Sequence, residues 1–436
     1  MLKFLQLVFA LFIGTTAALA EAFPKADAIY APVDMQQVLL GQLLFYDPIL
    51  SGNKSVACAT CHHPKHATSD ALSLGLGDGA QGLGPKRTID PNNLPEQRVP
   101  RHSPALFNLG AVEFDTMFHD GRLEADPARP SGIRTPLGRE MVQGFASVLS
   151  AQSMFPVLSP DEMAGHYNEN KVAQAVRRGF LTYDGGAWSI ISERVAAIPA
   201  YNQAFESIHG AGHKVTFTDI SDVIAEFIAF EWRADNSPFD WYLRENIALP
   251  DAAVAGMELF YGKANCSSCH SGQFQTDHGF HTIAMPQIGP GKAARFETHA
   301  RDEGRMRVTG KPEDAYRFRT PSLRNVAETA PYGHSGAYAS LKAVVEHHLD
   351  PQMGLQNYDR SQLILPDLPQ SNDFRVLSDP QELAAIAAAN ELKPISLQPA
   401  EVDQIIAFLE TLTDQDSLKG RLGVPQQVPS GLPVDQ

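Results

Sequence analysis

Two short stretches, Cys58-Ala-Thr-Cys61-His62 and Cys266-Ser-Ser-Cys269-His270, contain all four cysteines of the 436-residue chain. Both match the pattern C-x-x-C-H, the attachment signature of a c-type haem. In this signature each cysteine thiol adds across one haem vinyl group, and the histidine reaches the iron. The two stretches predict two covalently bound haems c, attached through Cys58, Cys61, Cys266 and Cys269, with His62 and His270 as proximal iron ligands.

Two alternatives exist for the cysteines. The C-x-x-C pairs are compatible with one four-cysteine zinc site, or with two small disulfides in a secreted chain. Neither alternative explains why a histidine follows both pairs. The haem interpretation accounts for the cysteines and the histidines together.

An internal repeat precedes the two motifs. Gly41-Gln-Leu-Leu-Phe-Tyr46 stands before the first, and Gly256-Met-Glu-Leu-Phe-Tyr261 stands before the second, so both read G-x-x-L-F-Y. Apolar residues at this spacing favour a helix that packs beside a haem. The repeat predicts two related haem units in one chain.

Residues 1–20 have the features of a cleaved export signal. Lys3 supplies positive charge, residues 5–13 are an apolar run too short to cross a bilayer, and Ala18-Leu-Ala20 is a small-x-small cleavage site. The mature chain is predicted to start at Glu21 in the periplasm, because c-type haem is attached outside the bacterial cytoplasm. No later stretch reads as a membrane span. The net charge of -15 argues against a nucleic-acid partner.

The rest of the sequence reads as mainly helical. A first helix is predicted over 34–46, with Val38, Leu39, Leu43 and Leu44 on its buried side. Thr218 is a plausible N-cap for the helix predicted over 218–232. A Gly-, Pro- and Asn-rich stretch at 66–104 predicts a long loop. Further helices are predicted over 218–232, 340–349 and 399–412.

Several blocks between and after the haem motifs carry a family resemblance. They are Arg101-His-Ser-Pro104 with Asn108, Met117-Phe-His-Asp-Gly-Arg122, Pro156-Val157 with Glu162-Met163, Arg317 to Asn325, and Ala330-Pro-Tyr-Gly-His-Ser-Gly336. In this order they resemble the bacterial di-haem cytochrome c peroxidase and MauG family. The resemblance covers nearly the whole mature chain.

The resemblance implies a mainly α fold of two cytochrome c-like haem domains with long connecting loops and the haems at their interface. The expected divisions are a signal peptide at 1–20, an N-terminal domain with the peroxidatic haem at 21–246, a C-terminal domain with the electron-transfer haem at 247–415, and a tail at 416–436. The tail is expected either to be disordered or to wrap over the first domain.

The resemblance also implies catalytic residues. Glu162 matches the acid/base glutamate above the first haem, and Gln152 matches a distal-pocket glutamine. An alternative for Glu162 is purely structural, because Ser159-Pro-Asp-Glu162 reads as a capping box that closes a helix end. No histidine is expected above the first iron, and neither His63 nor His66 is expected to ligate it.

The second haem is expected to have two protein ligands. In the family its distal ligand is commonly Met or Tyr, and here that position is His348. Leu341, Val344, Val345 and His348 share one face of the predicted helix, whereas His347 points away from it. The alternative is that His348 is an ordinary hydrogen-bonded core histidine.

Three features depart from the family pattern. His119 stands where the family has a tryptophan between the haems. His102 replaces an asparagine that helps to hold calcium between them, so calcium is possible but doubtful. The stretch from Arg122 to Pro156 is longer than is common and is expected to form a loop beside the active site.

The function that follows is a periplasmic di-haem oxidoreductase that reduces hydrogen peroxide with electrons passed through the second haem. The expected donor is a small redox protein, either a cytochrome c or a cupredoxin. One alternative is a MauG-like enzyme that oxidises side chains of a partner protein. Another is a non-catalytic di-haem electron carrier, which needs neither an open iron nor a distal carboxylate.

Overall fold

The computed structural model describes residues 23–24, 27–292 and 297–436, so the predicted export signal at 1–20 and its cleavage site lie outside the described residues. The chain is mostly helical with little strand, which confirms the mainly α prediction. None of the helices in these ranges is long and apolar enough to cross a bilayer. Numbered α1–α15 in chain order, the helices span Met35–Phe45, Cys58–Cys61, Val148–Gln152, Lys171–Arg177, Ala187–Ala196, Pro199–His209, Phe217–Glu231, Pro238–Glu245, Asp251–Tyr261, Met306–Thr309, Leu341–Leu349, Pro351–Gln356, Pro380–Ala389, Pro399–Glu410 and Gln415–Lys419.

The strands are short and antiparallel. They form a two-stranded sheet β1–β2, a three-stranded sheet β3–β4–β5 and a two-stranded sheet β6–β7. Numbered in chain order, they span Ala80–Gln81, Thr88–Ile89, Thr116–Met117, Leu123–Ala125, Ile133–Arg134, Phe280–His281 and Phe318–Arg319. The predicted loop at 66–104 is largely irregular and carries β1 and β2.

Two hydrophobic clusters organise the chain. The first draws its buried residues from the range 38–234, with Phe274 and Val428 added, and the second draws them from 239–412, with Leu74 added. Each includes part of one C-x-x-C-H motif and the Leu, Phe and Tyr of the G-x-x-L-F-Y segment before it. The C-terminal segment 416–436 packs on the first cluster through Leu418, Leu422, Val424, Val428, Leu432 and Val434.

The repeated glycine explains why the two motif helices pack alike. A Cβ on Gly41 of α1 would lie 1.8 Å from the carbonyl oxygen of Val223 on α7. A Cβ on Gly256 of α9 would lie 1.8 Å from the carbonyl oxygen of Gln404 on α14. Each glycine therefore allows a second helix to cross, in backbone contact, the helix that precedes a haem motif in the sequence.

The helices predicted from periodicity are present, with two corrections. Leu39 was predicted to be buried, but its side chain is 49% exposed, whereas Leu40 and Gly41 are buried. The reason is the crossing at Gly41, which rotates the packed face of α1 toward α7. The N-cap of α7 is Thr216 rather than Thr218, because Thr216 and Asp219 form the capping box that begins the helix.

Buried contacts link the two clusters. The Arg98 guanidinium binds Asp373 through Nε, at 2.9 Å from Oδ1 and 3.0 Å from Oδ2, and both side chains are almost fully buried. Leu74, in the loop after the first motif, lies in the second cluster. The hydroxyl of Ser73 donates to the carbonyl of Gly336 at 2.7 Å. The loop after the first motif is therefore part of the interface with the second unit.

Candidate haem sites

The first motif presents its histidine to the interior. Cys58 to Cys61 form the single turn α2, and His62 follows it. His62 Nδ1 lies 3.0 Å from the carbonyl oxygen of Thr68, which fixes the ring and leaves Nε2 free. Burial lowers the pKa of His62, so the imidazole is neutral, the form that ligates a metal.

The second motif repeats this arrangement. His270 Nδ1 lies 3.0 Å from the carbonyl oxygen of Gln275. Burial lowers the pKa of His270 to about 4, so this imidazole is also neutral. A hydrogen bond from one ring nitrogen to a backbone carbonyl is the usual support of a metal-ligating histidine.

His348 faces His270 across a gap that one iron would span. The ring centroids are 6.3 Å apart. Two imidazoles that bind one metal through nitrogens at about 2.0 Å have centroids roughly 6 Å apart. His348 Nδ1 lies 2.7 Å from the carbonyl oxygen of Val344, so its Nε2 is free for the iron.

The neighbouring His347 is bound at both nitrogens. Its Nδ1 accepts from the hydroxyl of Tyr338 at 2.8 Å, and its Nε2 donates to the carbonyl oxygen of Ile283 at 2.7 Å. His347 is also buried, on a different side of α11 from His348. His347 is therefore an ordinary hydrogen-bonded core histidine, and the ligand role of His348 stays a prediction.

The cysteines fit haem attachment better than either alternative. All four, which lie in the described ranges, are free of disulfide bonds. Among the described residues, the clusters of His, Cys, Asp and Glu with metal-binding spacing contain at most one of these cysteines, so the two pairs form no joint zinc site. With both proximal histidines neutral and anchored through Nδ1, the residues fit two haems c.

Glu162 lies in a single turn of π-helix, Pro160–Ala164, that follows the 3₁₀ turn Pro156–Leu158. Ser159 precedes the turn, but its side chain makes no capping hydrogen bond. The capping-box alternative is therefore wrong. In the described part of the chain, the Glu162 carboxylate has no hydrogen-bond partner, which leaves it free to meet a ligand.

Charges from both halves of the chain act on Glu162. Burial raises the pKa of its carboxyl group, while the positive charges of Lys292 and Arg122 act in the opposite direction. Burial also lowers the pKa of Lys292 to about 8. The Arg122 guanidinium lies 3.8 Å from the centroid of the Phe118 ring and binds Asp120 at 2.7 Å. Burial favours the protonated form of this carboxyl group and the two cations favour the ionised form, so it is suited both to gain and to lose a proton.

The remaining residues predicted around the first haem are placed as follows. Gln152 ends α3, and in the described ranges its side chain makes no hydrogen bond to Glu162. His63 is buried, and its Nδ1 accepts a hydrogen bond from the Lys65 amide at 3.2 Å. The His66 ring packs against Gly84, where a Cβ would lie 2.3 Å from its Nε2.

The comparisons with known proteins agree with these features. The family model described as di-haem cytochrome c peroxidase matches residues 35–248. The methylamine utilization protein MauG of Methylorubrum extorquens is 28% identical over 89% of this chain and 80% of its own. The cytochrome c551 peroxidase of Pseudomonas aeruginosa is 29% identical over 74% of this chain and 75% of its own.

The chain belongs to the di-haem cytochrome c peroxidase and MauG family. This confirms the predicted resemblance and, with it, the prediction of a peroxidase-type oxidoreductase. The structure of the di-haem peroxidase BthA from Burkholderia thailandensis matches with a TM-score of 0.61 and 20% identity, over 90% of this chain and 89% of the other. That likeness concerns the fold.

Within this family frame, the position between the haem units is unusual. His119 replaces the family tryptophan, and its Nε2 lies 3.0 Å from Arg101 Nε and 2.9 Å from Asp302 Oδ2. The ring of Phe318 stacks on two histidines, with its centroid 5.8 Å from that of His119 and 3.9 Å from that of His334. Burial opposes ionisation of Asp302, but Arg101 and His119 hold the pKa of this carboxyl group well below its usual value.

His102 occupies the place of the family's calcium-binding asparagine. Its Nδ1 lies 2.8 Å from the carbonyl oxygen of Leu72, and burial lowers its pKa to about 4. A neutral imidazole is a poor ligand for a hard cation such as calcium. Calcium between the haems stays a prediction that these contacts do not support.

The long segment from Arg122 to Pro156 is structured. It carries β4, β5 and α3, and residues between Arg129 and Phe145 line a cleft of about 370 Å³.

Three residues near Glu162 or His119 were not predicted as site residues from the sequence: Lys292, Asp302 and His334. They lie in irregular segments, where no periodicity indicates which side chains turn inward.

Proposed function

We propose that the chain is an exported di-haem peroxidase that reduces hydrogen peroxide with electrons delivered through its second haem unit. The observation that carries this proposal is the unequal surroundings of the two proximal histidines. Opposite His270 stands His348, held by Val344. In the first unit, the described residues place the unpartnered carboxylate of Glu162 near Cys61, close enough for the two groups to interact electrostatically.

A c-type haem, when bound, supplies an iron that exchanges electrons and, if one position is open, takes up peroxide. Reduction of one hydrogen peroxide to two waters consumes two electrons and two protons. Glu162 holds a proton taken from the near oxygen of hydrogen peroxide and returns it to the leaving oxygen. Positioned proton transfer of this kind contributes about 10²–10⁴-fold to rate. Lys292 and Arg122 keep the carboxylate form of Glu162 accessible against the effect of burial.

In the second unit His270 and His348 would both hold the iron of a bound haem. A haem held by two histidines would store electrons and would not take up peroxide. Imidazole in place of a thioether lowers the reduction potential. We therefore expect the fully oxidised protein to react with peroxide without a prior half-reduction.

The finer organisation belongs to the same proposal. The hydrophobic clusters support two cytochrome c-like domains at 21–246 and 247–415, with 416–436 returning to the first. Covalent attachment through the four cysteines predicts an intact mass that exceeds the chain from Glu21 by two haems. Loss of haem to acid-acetone extraction would contradict the thioether bonds. A periplasmic location follows from the export signal at 1–20.

The MauG-like alternative is favoured by two observations. A buried network of acidic and basic groups surrounds His119 between the units, and the relative from Methylorubrum extorquens carries the MauG name. Such an enzyme would draw its electrons from side chains of a partner protein. The electron-carrier alternative does not explain why the half-buried carboxylate of Glu162 has no hydrogen-bond partner among the described residues.

A peroxide assay on the purified di-haem protein separates the three. A peroxidase oxidises two equivalents of a reduced cytochrome c or cupredoxin for each peroxide consumed. A MauG-like enzyme consumes peroxide and leaves a mass change in an added protein substrate. A protein that carries both haems and exchanges electrons, yet leaves peroxide untouched, would refute the proposed activity.

A further inference from the structure

A cluster of two histidines and one aspartate lies in the first unit, apart from both haem motifs. His209 is the last residue of α6, His213 lies in the turn that follows, and Asp219 is in the first turn of α7. One ligand atom from each residue lies within 4.8 Å of the other two. The other such cluster in the described ranges contains Cys269, which belongs to a haem motif.

We propose that His209, His213 and Asp219 bind one divalent transition-metal ion of the borderline class, such as Zn²⁺. Two imidazoles and one carboxylate are a ligand set that such ions accept, with water completing the coordination. The proposal concerns a site separate from peroxide reduction.

The spacing of the ligand atoms suits a tetrahedral ion. His213 Nε2 lies 2.8 Å from Asp219 Oδ2, and His209 Nε2 lies 3.8 Å from Asp219 Oδ1. Bonds of about 2.0–2.1 Å hold tetrahedral ligand atoms roughly 3.3 Å apart. The two observed distances run to different oxygens of Asp219 and lie on either side of that value. Because one ligand atom from each residue already lies within 4.8 Å of the other two, side-chain movements without a change of backbone would bring them to tetrahedral spacing.

The two histidines are neighbours and are reachable from solvent. Their ring centroids are 4.4 Å apart with planes 24° apart, so rotation of one ring about its side-chain bonds would direct a nitrogen of each at one ion. The side chains of His209 and His213 are 32% and 27% exposed. An ion can therefore enter, and a water molecule can occupy the remaining position.

The surrounding charge favours a cation. Burial alone would raise the pKa of Asp219, but hydrogen bonds from His213 and Thr216 lower it, so its carboxylate is ionised. Thr216 binds Oδ2 through its amide and hydroxyl, both at 2.8 Å, which keeps the carboxylate in place. Asp222 is close enough to interact electrostatically with both Asp219 and His209.

A metal at this position would join the end of α6 to the start of α7. The second of these helices crosses α1 at Gly41, directly before the first haem motif. Because an ion that binds only the folded state stabilises it by mass action, metal should protect this part of the first unit against unfolding.

The test is a calorimetric titration of ZnSO₄ into the di-haem protein after treatment with EDTA. We expect one equivalent of zinc to bind. Loss of a residue that only supports a metal ligand typically weakens binding about 10–100-fold. We expect His209→Asn and His213→Asn, which remove ligands, each to weaken zinc binding by more than this. The control is His278→Asn, which removes a histidine paired with a single carboxylate, Glu113, at 3.1 Å. This variant should bind zinc like the parent.

A second measurement keeps the test independent of folding. Zinc-edge X-ray absorption, which the haem iron does not obscure, should show two imidazole ligands in the parent protein. Zinc should raise the unfolding temperature of the parent and of His278→Asn, but not of the two other variants. Absence of stoichiometric binding, binding unchanged in both His209→Asn and His213→Asn, or an absorption spectrum without imidazole would overturn the proposal.

Discussion

Gly41 and Gly256 hold the same place in the two haem units, and a Cβ on either would lie the same 1.8 Å from a carbonyl oxygen of the crossing helix. His62 and His270 are likewise both anchored through Nδ1 to a carbonyl a few residues on. The units differ in the group proposed to act on the other side of the haem, which is the Glu162 carboxylate in the first unit and His348 in the second. In this proposal one repeated scaffold supports two chemistries, and the difference depends on few side chains outside the repeat.

The largest effect should come from removing the distinctive group of the first unit. Glu162→Gln keeps the shape of the side chain but cannot accept a proton, so peroxide reaction should slow about 10²–10⁴-fold. Stopped-flow absorbance spectroscopy of the haem bands after mixing with peroxide measures this rate. The neighbour Asp161→Asn is the matched control and should remain near the parent rate. A parent-like rate in Glu162→Gln would remove this residue from the mechanism.

The second unit is tested by its distal histidine. The ferric protein should give one high-spin and one low-spin EPR signal, and His348→Ala should convert the low-spin signal to high-spin. His347→Gln is the control, because both nitrogens of His347 are already bound to Tyr338 and Ile283. A low-spin signal that survives in His348→Ala, or disappears in His347→Gln, would show that the ligand was misassigned.

The third prediction concerns the buried ion pair of Arg98 with Asp373, which links the two units. Arg98→Ala leaves Asp373 buried without its partner, and breaking a buried pair in this way costs about 3–5 kcal/mol. Denaturant unfolding should show this loss, and the two units should begin to unfold separately. The exposed pair of Arg129 with Asp126 provides the comparison, since Arg129→Ala should cost at most about 1 kcal/mol. Equal losses in the two variants would argue against a structural role for the Arg98 pair.

Because each motif helix is crossed by a second helix at a glycine, an alanine at either glycine should destabilise the protein to a similar extent. Gly41→Ala and Gly256→Ala each force a methyl group into a backbone carbonyl, and overpacking of this kind costs about 1–3 kcal/mol. The unfolding temperature of each variant should fall by a similar amount. Gly138→Ala, where a Cβ meets nothing within 4 Å, should have little effect. A large loss in only one of the two helix variants would mean that the repeat is not structurally equivalent.

The smallest effect concerns a residue that the second half contributes to the first site. The charge of Lys292 lowers the pKa of Glu162, so Lys292→Met should raise that pKa further. Because Glu162 must be ionised to accept a proton, activity is lost as pH falls through this pKa. The acid limb of the pH–rate profile should therefore move to higher pH in Lys292→Met and stay in place in the exposed variant Lys311→Met. A shift to lower pH would contradict the assigned sign.

The sequence predicts what depends on neighbours along the chain. The haem motifs are contiguous, and His348 follows from helical spacing on α11. Leu39 was misplaced because the face that α1 buries depends on where α7 crosses it, and that crossing joins residues far apart in sequence. Lys292, Asp302 and His334 come from irregular segments, so their meeting with His119 and Glu162 is a property of the tertiary fold alone.

The return of the C-terminal segment also bears on the order in which the molecule is completed. The hydroxyl of Thr60, inside the first C-x-x-C-H motif, donates to the carboxylate of Asp435 across 375 positions at 2.6 Å. His63 reaches the carbonyl of the same residue. Contacts of such separation form late, because a long loop must close first. We expect that haem is attached at Cys58 and Cys61 before the C-terminal segment packs over this motif. The unit that is synthesised first would then be the last to complete its tertiary contacts.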